Sequence, residues 1–334
     1  MLHLVNGDAA VALLRRTEVP GSFLNWLDVL HDGPVPGGLP PEQLIDTRAR
    51  FIAVCGWDSE ENARARLRAR DERLTSALEA AEEIVIWNSH ELFDQLHLLQ
   101  ILDALPDIRG TPQMPGSSPA PVRLVLVADY LGGSGSPSTL QEAWAARTDL
   151  RPEQQDLGKT AWVAFTASTP GSMGRLIQQD LAELPFLKSG LTRLAEEFPE
   201  EHSGLSLTQQ RILEAVSSGT SRVVELFRET QRQEPVRFMG DWSFWRRVLD
   251  LESPDAPLLR IHGPAPFQAV PREVRDPVFR EFQAELTPLG EAVLNGEADW
   301  LKLHAHDLWI GGVHLHPGSD WRWSRRYQQF VQNS

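Results

Sequence analysis

The sequence predicts an α/β protein with an N-terminal Rossmann-like parallel sheet and flanking helices, a helical middle and a C-terminal winged-helix-like module. Two observations predict this fold. Short apolar runs alternate with longer helical patterns through the first 135 residues, as in parallel strands joined by right-handed crossovers. Three helical patterns, an apolar segment and a closing helical pattern follow near the carboxyl end. We expect an α/β domain at 1–136, a bracing or bridging region at 137–203 and a winged-helix-like domain with a Trp-rich tail at 204–334.

Apolar runs bounded by turn residues predict the strands of the first domain. These runs are Leu2–Val5, Phe23–Leu30, Ile84–Trp87 and Arg123–Ala128. Helices are expected over Ala9–Arg16, within 42–82, and after the third strand. The last of these carries Leu92, Leu96, Leu99 and Leu102 on one face.

Polar residues follow the carboxyl end of each predicted strand. Parallel sheets bind ligands beyond these ends, so the turns are expected to form one site. The predicted catalytic residues are Asp8, His31 and His90. The predicted ligand-binding residues are Gly7, Asp32, Gly33, Asn88, Glu91 and Asp129. Two histidines near several carboxylates can share acid and base roles or hold a divalent metal, and no particular metal or cofactor is indicated. The glycine pattern of a dinucleotide site is absent from the first turn.

Each of these turns also has a purely structural explanation. Asp8 can cap the following helix, because a carboxylate accepts hydrogen bonds from its free N–H groups. His90 and Glu91 can be ordinary first-turn residues, with Glu91 favourable against the helix dipole. Residues 31–34 can form a simple tight turn. The convergence of four turns favours a site over these separate explanations.

Composition limits the classes of function. The 334 residues include 32 Lys and Arg against 46 Asp and Glu, a net charge of −14, which argues against broad capture of nucleic acid or anionic membrane. The single cysteine, Cys55, excludes an internal disulfide framework and fits a reducing compartment. No apolar run is long enough to span a membrane, so a cytoplasmic protein is expected.

The C-terminal part shows the order of a winged helix. Helices are expected over residues 206–216, 221–232 and 242–251, followed by two strands and a closing helix. Arg246 and Arg247 on the third helix, and Arg322 and Arg325 in the Trp-rich tail, are the predicted nucleic-acid contacts. Binding of DNA or RNA is not favoured by the net charge.

Four histidines of the tail are spaced in pairs two residues apart. They are His304, His306, His314 and His316. On strands, such pairs point to one face and can bind a metal such as zinc. We favour the alternative, in which they are surface residues of a Trp-rich hairpin.

Several short motifs occur in an order that resembles one bacterial family. They are LHLVNGDAA, DVLHDGPVP, WNSHELFDQLHLLQ, LPFL, GLSLTQQRILEAVSSG, FMGDWSFW, LTPLGEAVLNG and WIGGVHLHPGSDWRW. Together they are similar to the bacterial domain-of-unknown-function family 1835 over nearly the whole chain. The resemblance implies no catalytic role, because no activity is established for that family. The positions that match its motifs are Gly7, Asp8, His31, Gly33, Pro34, Trp87, His90 and Asp94.

Two functional hypotheses follow. In the first, the edge of the parallel sheet binds or acts on a nucleotide, a phosphate ester or nucleic acid, with a small phosphate-bearing ligand as its partner. In the alternative, the chain is a non-enzymatic regulatory or adaptor protein that contacts DNA or a protein partner through the winged-helix-like module.

Overall fold

A computed structural model describes residues 1–109, 120–131, 136–268 and 278–332 of the chain. Its strands are β1 (Leu2–Val5), β2 (Ser22–Asn25), β3 (Gly33–Pro34), β4 (Ile84–Ser89), β5 (Val122–Val127), β6 (Thr148–Asp149), β7 (Leu259–His262), β8 (Gln283–Leu286), β9 (Leu308–Gly311), β10 (Val313–Leu315), β11 (Trp321–Ser324) and β12 (Gln329–Gln332). Its α-helices are α1 (Asp8–Leu14), α2 (Pro41–Val54), α3 (Glu60–Glu79), α4 (Leu92–Ala104), α5 (Pro137–Ala145), α6 (Pro152–Thr166), α7 (Gly171–Ile177), α8 (Leu187–Ala195), α9 (Leu207–Ser217), α10 (Val223–Arg232), α11 (Asp241–Asp250) and α12 (Pro288–Leu294). Short 3-10 helices span Val278–Glu281 and Trp300–Lys302.

The predicted α/β class, with a parallel sheet flanked by helices, is confirmed. The main sheet has the order β2-β1-β4-β5-β6, in which the first four strands are mutually parallel and β6 is antiparallel. The central strand β4 is buried along its whole length, as expected for a strand covered on both faces. The carboxyl ends of β1, β2, β4 and β5 therefore lie at one edge of the sheet.

The second strand is shorter than predicted, because it ends at Asn25 and not at Leu30. The next residue, Trp26, is buried, and its indole N–H donates to Gln100 Oε1 at 2.9 Å. Asp28 is then held by Arg48 of α2 in a buried ion pair of 2.8 Å. These contacts lead the chain away from the sheet, and β3 pairs with β9 of the C-terminal hairpin.

The middle helices brace the sheet through α4, as one of the predicted alternatives stated. Helix α6 packs on α4, and α8 packs on the same helix. Residues 161–165 belong to α6. None of the described helices combines the length and the apolar character needed to cross a bilayer.

The contact between α6 and α4 depends on Gly158. A Cβ atom at this position would overlap the side chain of Leu102 and lie 2.8 Å from its Cβ. We expect Gly158→Ala to lower the free energy of unfolding by about 1–3 kcal/mol, the usual cost of overpacking, despite the better helix propensity of alanine. The matched control is Gly171→Ala at the start of α7, where no atom lies closer than 3.6 Å. Urea unfolding in which Gly158→Ala is as stable as the control would contradict the close packing.

The C-terminal part contains three helices, a two-stranded hairpin and a closing helix in the predicted order. Helices α9, α10 and α11 precede the antiparallel pair β7–β8, and α12 follows it. A single antiparallel bridge joins Arg222 to Gln283. Antiparallel pairs β9–β10 and β11–β12 complete the chain. The winged-helix interpretation of this order stays a prediction.

Candidate ligand-binding cleft

A cavity of about 1170 Å³ lies between the carboxyl edge of the parallel sheet and the C-terminal helices. We call its two polar sides the sheet wall and the arginine wall. The sheet wall consists of Asn6, Gly7, Glu91, Asp94 and Tyr130. The arginine wall consists of Arg222, Arg228, Arg232, Arg237 and Arg280. The cleft is thus lined by carboxyl groups of the sheet wall, by the guanidinium groups of the arginine wall, and by the carboxyl groups of Glu225 and Asp241 from the C-terminal helices.

The join between β4 and α4 is built around Asp94. Its buried carboxylate accepts hydrogen bonds from the Ser89 backbone N–H at 2.8 Å and from Asn6 Nδ2 at 2.6 Å. Burial raises the pKa of Asp94, and the hydrogen bonds from Ser89 and Asn6 act against this rise. Asn88 donates to the backbone carbonyl of Asp94 and accepts from Gln95. Asn88 is therefore a structural residue of this turn, outside the lining of the cleft.

Glu91 is the sequence-predicted residue whose surroundings are the most unusual. It precedes the first residue of α4, is 7% exposed and lines the cleft. Burial, and to a smaller extent the charge of Asp94, raise its pKa to about 8 against the opposing effect of Arg237. Among the residues that the structure describes, none hydrogen-bonds to this carboxyl group. At neutral pH, Glu91 is thus a protonated carboxyl that faces the cleft and can donate a hydrogen bond.

The arginine wall was not predicted from the sequence. Arg228 and Arg232 belong to α10, Arg222 precedes it, and Arg237 follows it. Arg237 lies over the ring of Tyr130, 4.7 Å from the ring centre. Arg228, Arg237 and Arg280 form no salt bridge with any described residue. Their guanidinium groups are exposed and offer paired donors that match the geometry of phosphate.

The structure brings together only some of the residues predicted for this edge. Gly7 lines the cleft, and its N–H donates to Asn25 Oδ1 at 2.7 Å with φ at 83°. Asp8 is exposed outside the lining and accepts from Asn25 Nδ2, in keeping with a local structural role. His90 is half-buried outside the lining, with its ring edge-on to Phe186. Asp129 follows β5 and raises the pKa of Glu91.

The expectation that His31, Asp32 and Gly33 lie at this edge is corrected, because β2 ends seven residues before Asp32. His31 is buried between Phe93 and Phe238, with ring centres 5.1 and 5.2 Å away, and burial lowers its pKa. His31 is therefore not among the residues that line the cleft. Gly33 instead belongs to β3.

Asp32 and the third helix form a buried ion-pair network. Arg247 lies 2.5 Å from Asp32 and 3.6 Å from Glu197. Glu197 in turn pairs with Arg193 at 2.8 Å. Burial alone would raise the pKa of Asp32, but Arg247 holds it below its usual range. Because Arg247 is 2% exposed, the prediction that it contacts nucleic acid is corrected.

The other predicted nucleic-acid contacts are also engaged within the protein. The Arg246 guanidinium contacts the Cys55 sulfur and lies 5.3 Å from the ring centre of Phe51. Arg322 is 3% exposed and pairs with Asp299 at 2.7 Å. Arg325 hydrogen-bonds to Gln210. Each of these three arginines therefore already has a partner within the protein.

Two of the four histidines of the tail stack on nearby tryptophan rings. His304 stacks on Trp300, and His314 stacks on Trp309 while its Nε2 lies 2.6 Å from Asp307. In the described part of the chain, the group with spacing suited to a metal is Glu200, Glu201 and His202, and the tail histidines form no such group. Of the four, only His314 lies on a strand of the β9–β10 hairpin, whereas His304 and His306 precede it, so the surface-hairpin interpretation holds for part of the tail only.

The fold and the cleft define an α/β protein with a candidate ligand site at the carboxyl edge of a parallel sheet. No protein-family model, curated protein or solved structure gives a significant match to this chain. The resemblance to family 1835 therefore stays a prediction.

Proposed function

We propose that this protein binds a phosphate-bearing ligand in the cleft, with the phosphate on the arginine wall and Glu91 as the proton-carrying group. One observation carries the proposal: a buried carboxyl without a hydrogen-bond partner in the described chain faces arginines that form no salt bridge there. Unpaired charges at a concave surface are the usual mark of a binding site for a charged partner.

The protonation state of Glu91 makes the two walls compatible with an anion. With a pKa of about 8, the carboxyl is neutral at pH 7, so it neither repels a phosphate nor neutralises Arg237. Its O–H can donate to a ligand oxygen. A carboxyl that titrates near the working pH is also suited to general acid or base catalysis, which is the role we propose for Glu91 in turnover of the ligand.

We propose in addition that residues 207–294 form a winged-helix-like module and that the chain belongs to family 1835. The order of α9, α10, α11, β7, β8 and α12, with the bridge between Arg222 and Gln283, supports the first statement. The third helix of this module is docked on the N-terminal part through Arg247 and Asp32. The alternative function, contact with DNA through this helix, gains no support from these contacts.

Ligand binding at the arginine wall is tested with Arg228→Gln and Arg237→Gln. Titration calorimetry with inorganic phosphate and adenosine monophosphate is expected to show binding to the wild type. Each substitution removes a charge-assisted hydrogen bond worth about 1.5–3 kcal/mol, which weakens binding roughly 10- to 100-fold. Arg16→Gln, an exposed arginine outside the cleft, is the control and should bind as the wild type does. Equal affinity in all four proteins would overturn the proposal.

A further inference from the structure

The geometry points to the class of phosphate ligand, and we propose that it is a short single strand of nucleic acid whose successive phosphates lie along the arginine wall. This inference rests on the proposed function, because it concerns the same cleft. It adds that the ligand carries several phosphates and unpaired bases.

The spacing of the arginines requires more than one phosphate. Arg222, Arg228 and Arg232 all line the cleft from α10 and the residue before it. Arg222 lies 3.9 Å from Glu225 and Arg232 lies 2.6 Å from Glu229, so a bound strand would exchange these exposed ion pairs for contacts with phosphate. At a rise of about 1.5 Å per residue, they stand about 9 and 6 Å apart along the helix axis, or about 15 Å in all. Because the three backbone positions extend over this length, we expect their guanidinium groups to lie too far apart for one phosphate to contact all three. A strand that advances about 3.4 Å or more per nucleotide would cover it with about four nucleotides.

Aromatic side chains accompany this charged row. Phe93, Tyr130 and Phe227 line the cleft and are half-buried, so part of each ring is open to it. Arg237 already stacks on Tyr130, and guanidinium planes stack on bases as aromatic rings do. A positively charged groove with interspersed aromatic rings is the usual surface for single strands.

The size and polarity of the cleft agree with a short single strand of nucleic acid as the ligand. Its volume of about 1170 Å³ exceeds the range of about 300–1,000 Å³ typical of small-molecule sites. Glu225 and Asp241 also line it, and their carboxylates can accept hydrogen bonds from base amino groups or ribose 2′-hydroxyls. The net charge of −14 disfavours binding elsewhere on the chain, which confines the contact to a short segment.

Fluorescence anisotropy with labelled single-stranded RNA of roughly one to eight nucleotides tests the inference. Affinity is expected to rise with length up to about four nucleotides and then to level off. Three phosphate contacts predict a slope of about −2 for log K against log salt. Arg228→Gln should weaken binding of the longer strands about tenfold and reduce the slope by about 0.7, whereas Arg16→Gln should change neither.

Four outcomes decide between this inference and the proposed function. If a mononucleotide binds as tightly as the longest strand, and Arg228→Gln weakens both, the inference is overturned while the proposed function stands. The inference is also overturned, and the proposed function stands, if tripolyphosphate competes as strongly as the single strand or if a duplex binds as tightly as the single strand. If neither phosphate, mononucleotide nor strand binds, both proposals fail.

Discussion

Replacing Arg247 by alanine is expected to lower the free energy of unfolding by about 3–5 kcal/mol, the cost of breaking a buried ion pair from one side. The guanidinium lies 2.5 Å from Asp32 and 3.6 Å from Glu197, and all three side chains are buried. Without Arg247, buried Asp32 loses the cation that lowers its pKa most, while Glu197 still has Arg193. The substitution therefore loosens the contact between α11 and residues 31–34.

Urea unfolding at neutral pH measures this loss. Arg16→Ala is the matched control, because it removes an exposed arginine and should stay within about 0.5 kcal/mol of the wild type. Adding Asp32→Asn to Arg247→Ala removes the unpaired charge and should recover part of the stability. An Arg247→Ala protein as stable as the control, or a double variant less stable than the single one, would contradict the buried network.

The second large effect concerns Glu91 and the dependence of stability on pH. Its pKa is about 8 in the folded protein against an ordinary 4.5, so the folded state binds more protons than the unfolded state between these values. The contribution of the Glu91 carboxyl to the free energy of unfolding is fully present below about pH 4.5. It falls as the pH rises and is lost above about pH 8. Over the whole range the difference amounts to about 5 kcal/mol at most. Glu91→Gln cannot titrate and should escape this loss.

Unfolding near pH 5 and near pH 9 isolates the contribution of Glu91. The wild type is expected to lose about 4 kcal/mol more than Glu91→Gln between these two conditions. Glu79→Gln at the exposed end of α3 is the control and should follow the wild type. If wild type and Glu91→Gln lose the same stability, the carboxyl is ionised at neutral pH and the proposed proton carrier is removed.

Local sequence patterns predict the parallel sheet and its edge. The apolar run that became β4 is followed directly by the amphipathic pattern of α4, and this alternation predicts parallel strands. From the parallel sheet it follows that the turns after β1 and β4 meet at one edge. The parallel sheet that the sequence predicts is thus enough to place Gly7 and Glu91 at this edge.

The remaining site residues depend on contacts between distant parts of the chain. The sequence around Asn25 does not predict that β2 ends there, because the end of the strand depends on the burial of Trp26 and on the ion pair of Asp28 with Arg48. Asp32 and Arg247 are 215 residues apart, so neither residue's own surroundings in the sequence reveal their pairing. The spacing of the arginines along α10 is visible in the sequence, but the side of the helix that faces the cleft is set by docking of the C-terminal helices.

The most direct test of the account is the affinity for adenosine monophosphate as a function of pH. Above pH 7 the phosphate is fully ionised, so a change near pH 8 reports on Glu91. Wild-type affinity is expected to fall roughly tenfold between about pH 7 and pH 9, because the ionised carboxyl begins to repel the phosphate and to pair with Arg237. Glu91→Gln is expected to bind equally well at both pH values, and Arg228→Gln is expected to bind weakly at both. Wild-type affinity that stays constant, or Arg228→Gln that binds as the wild type does, would contradict the account.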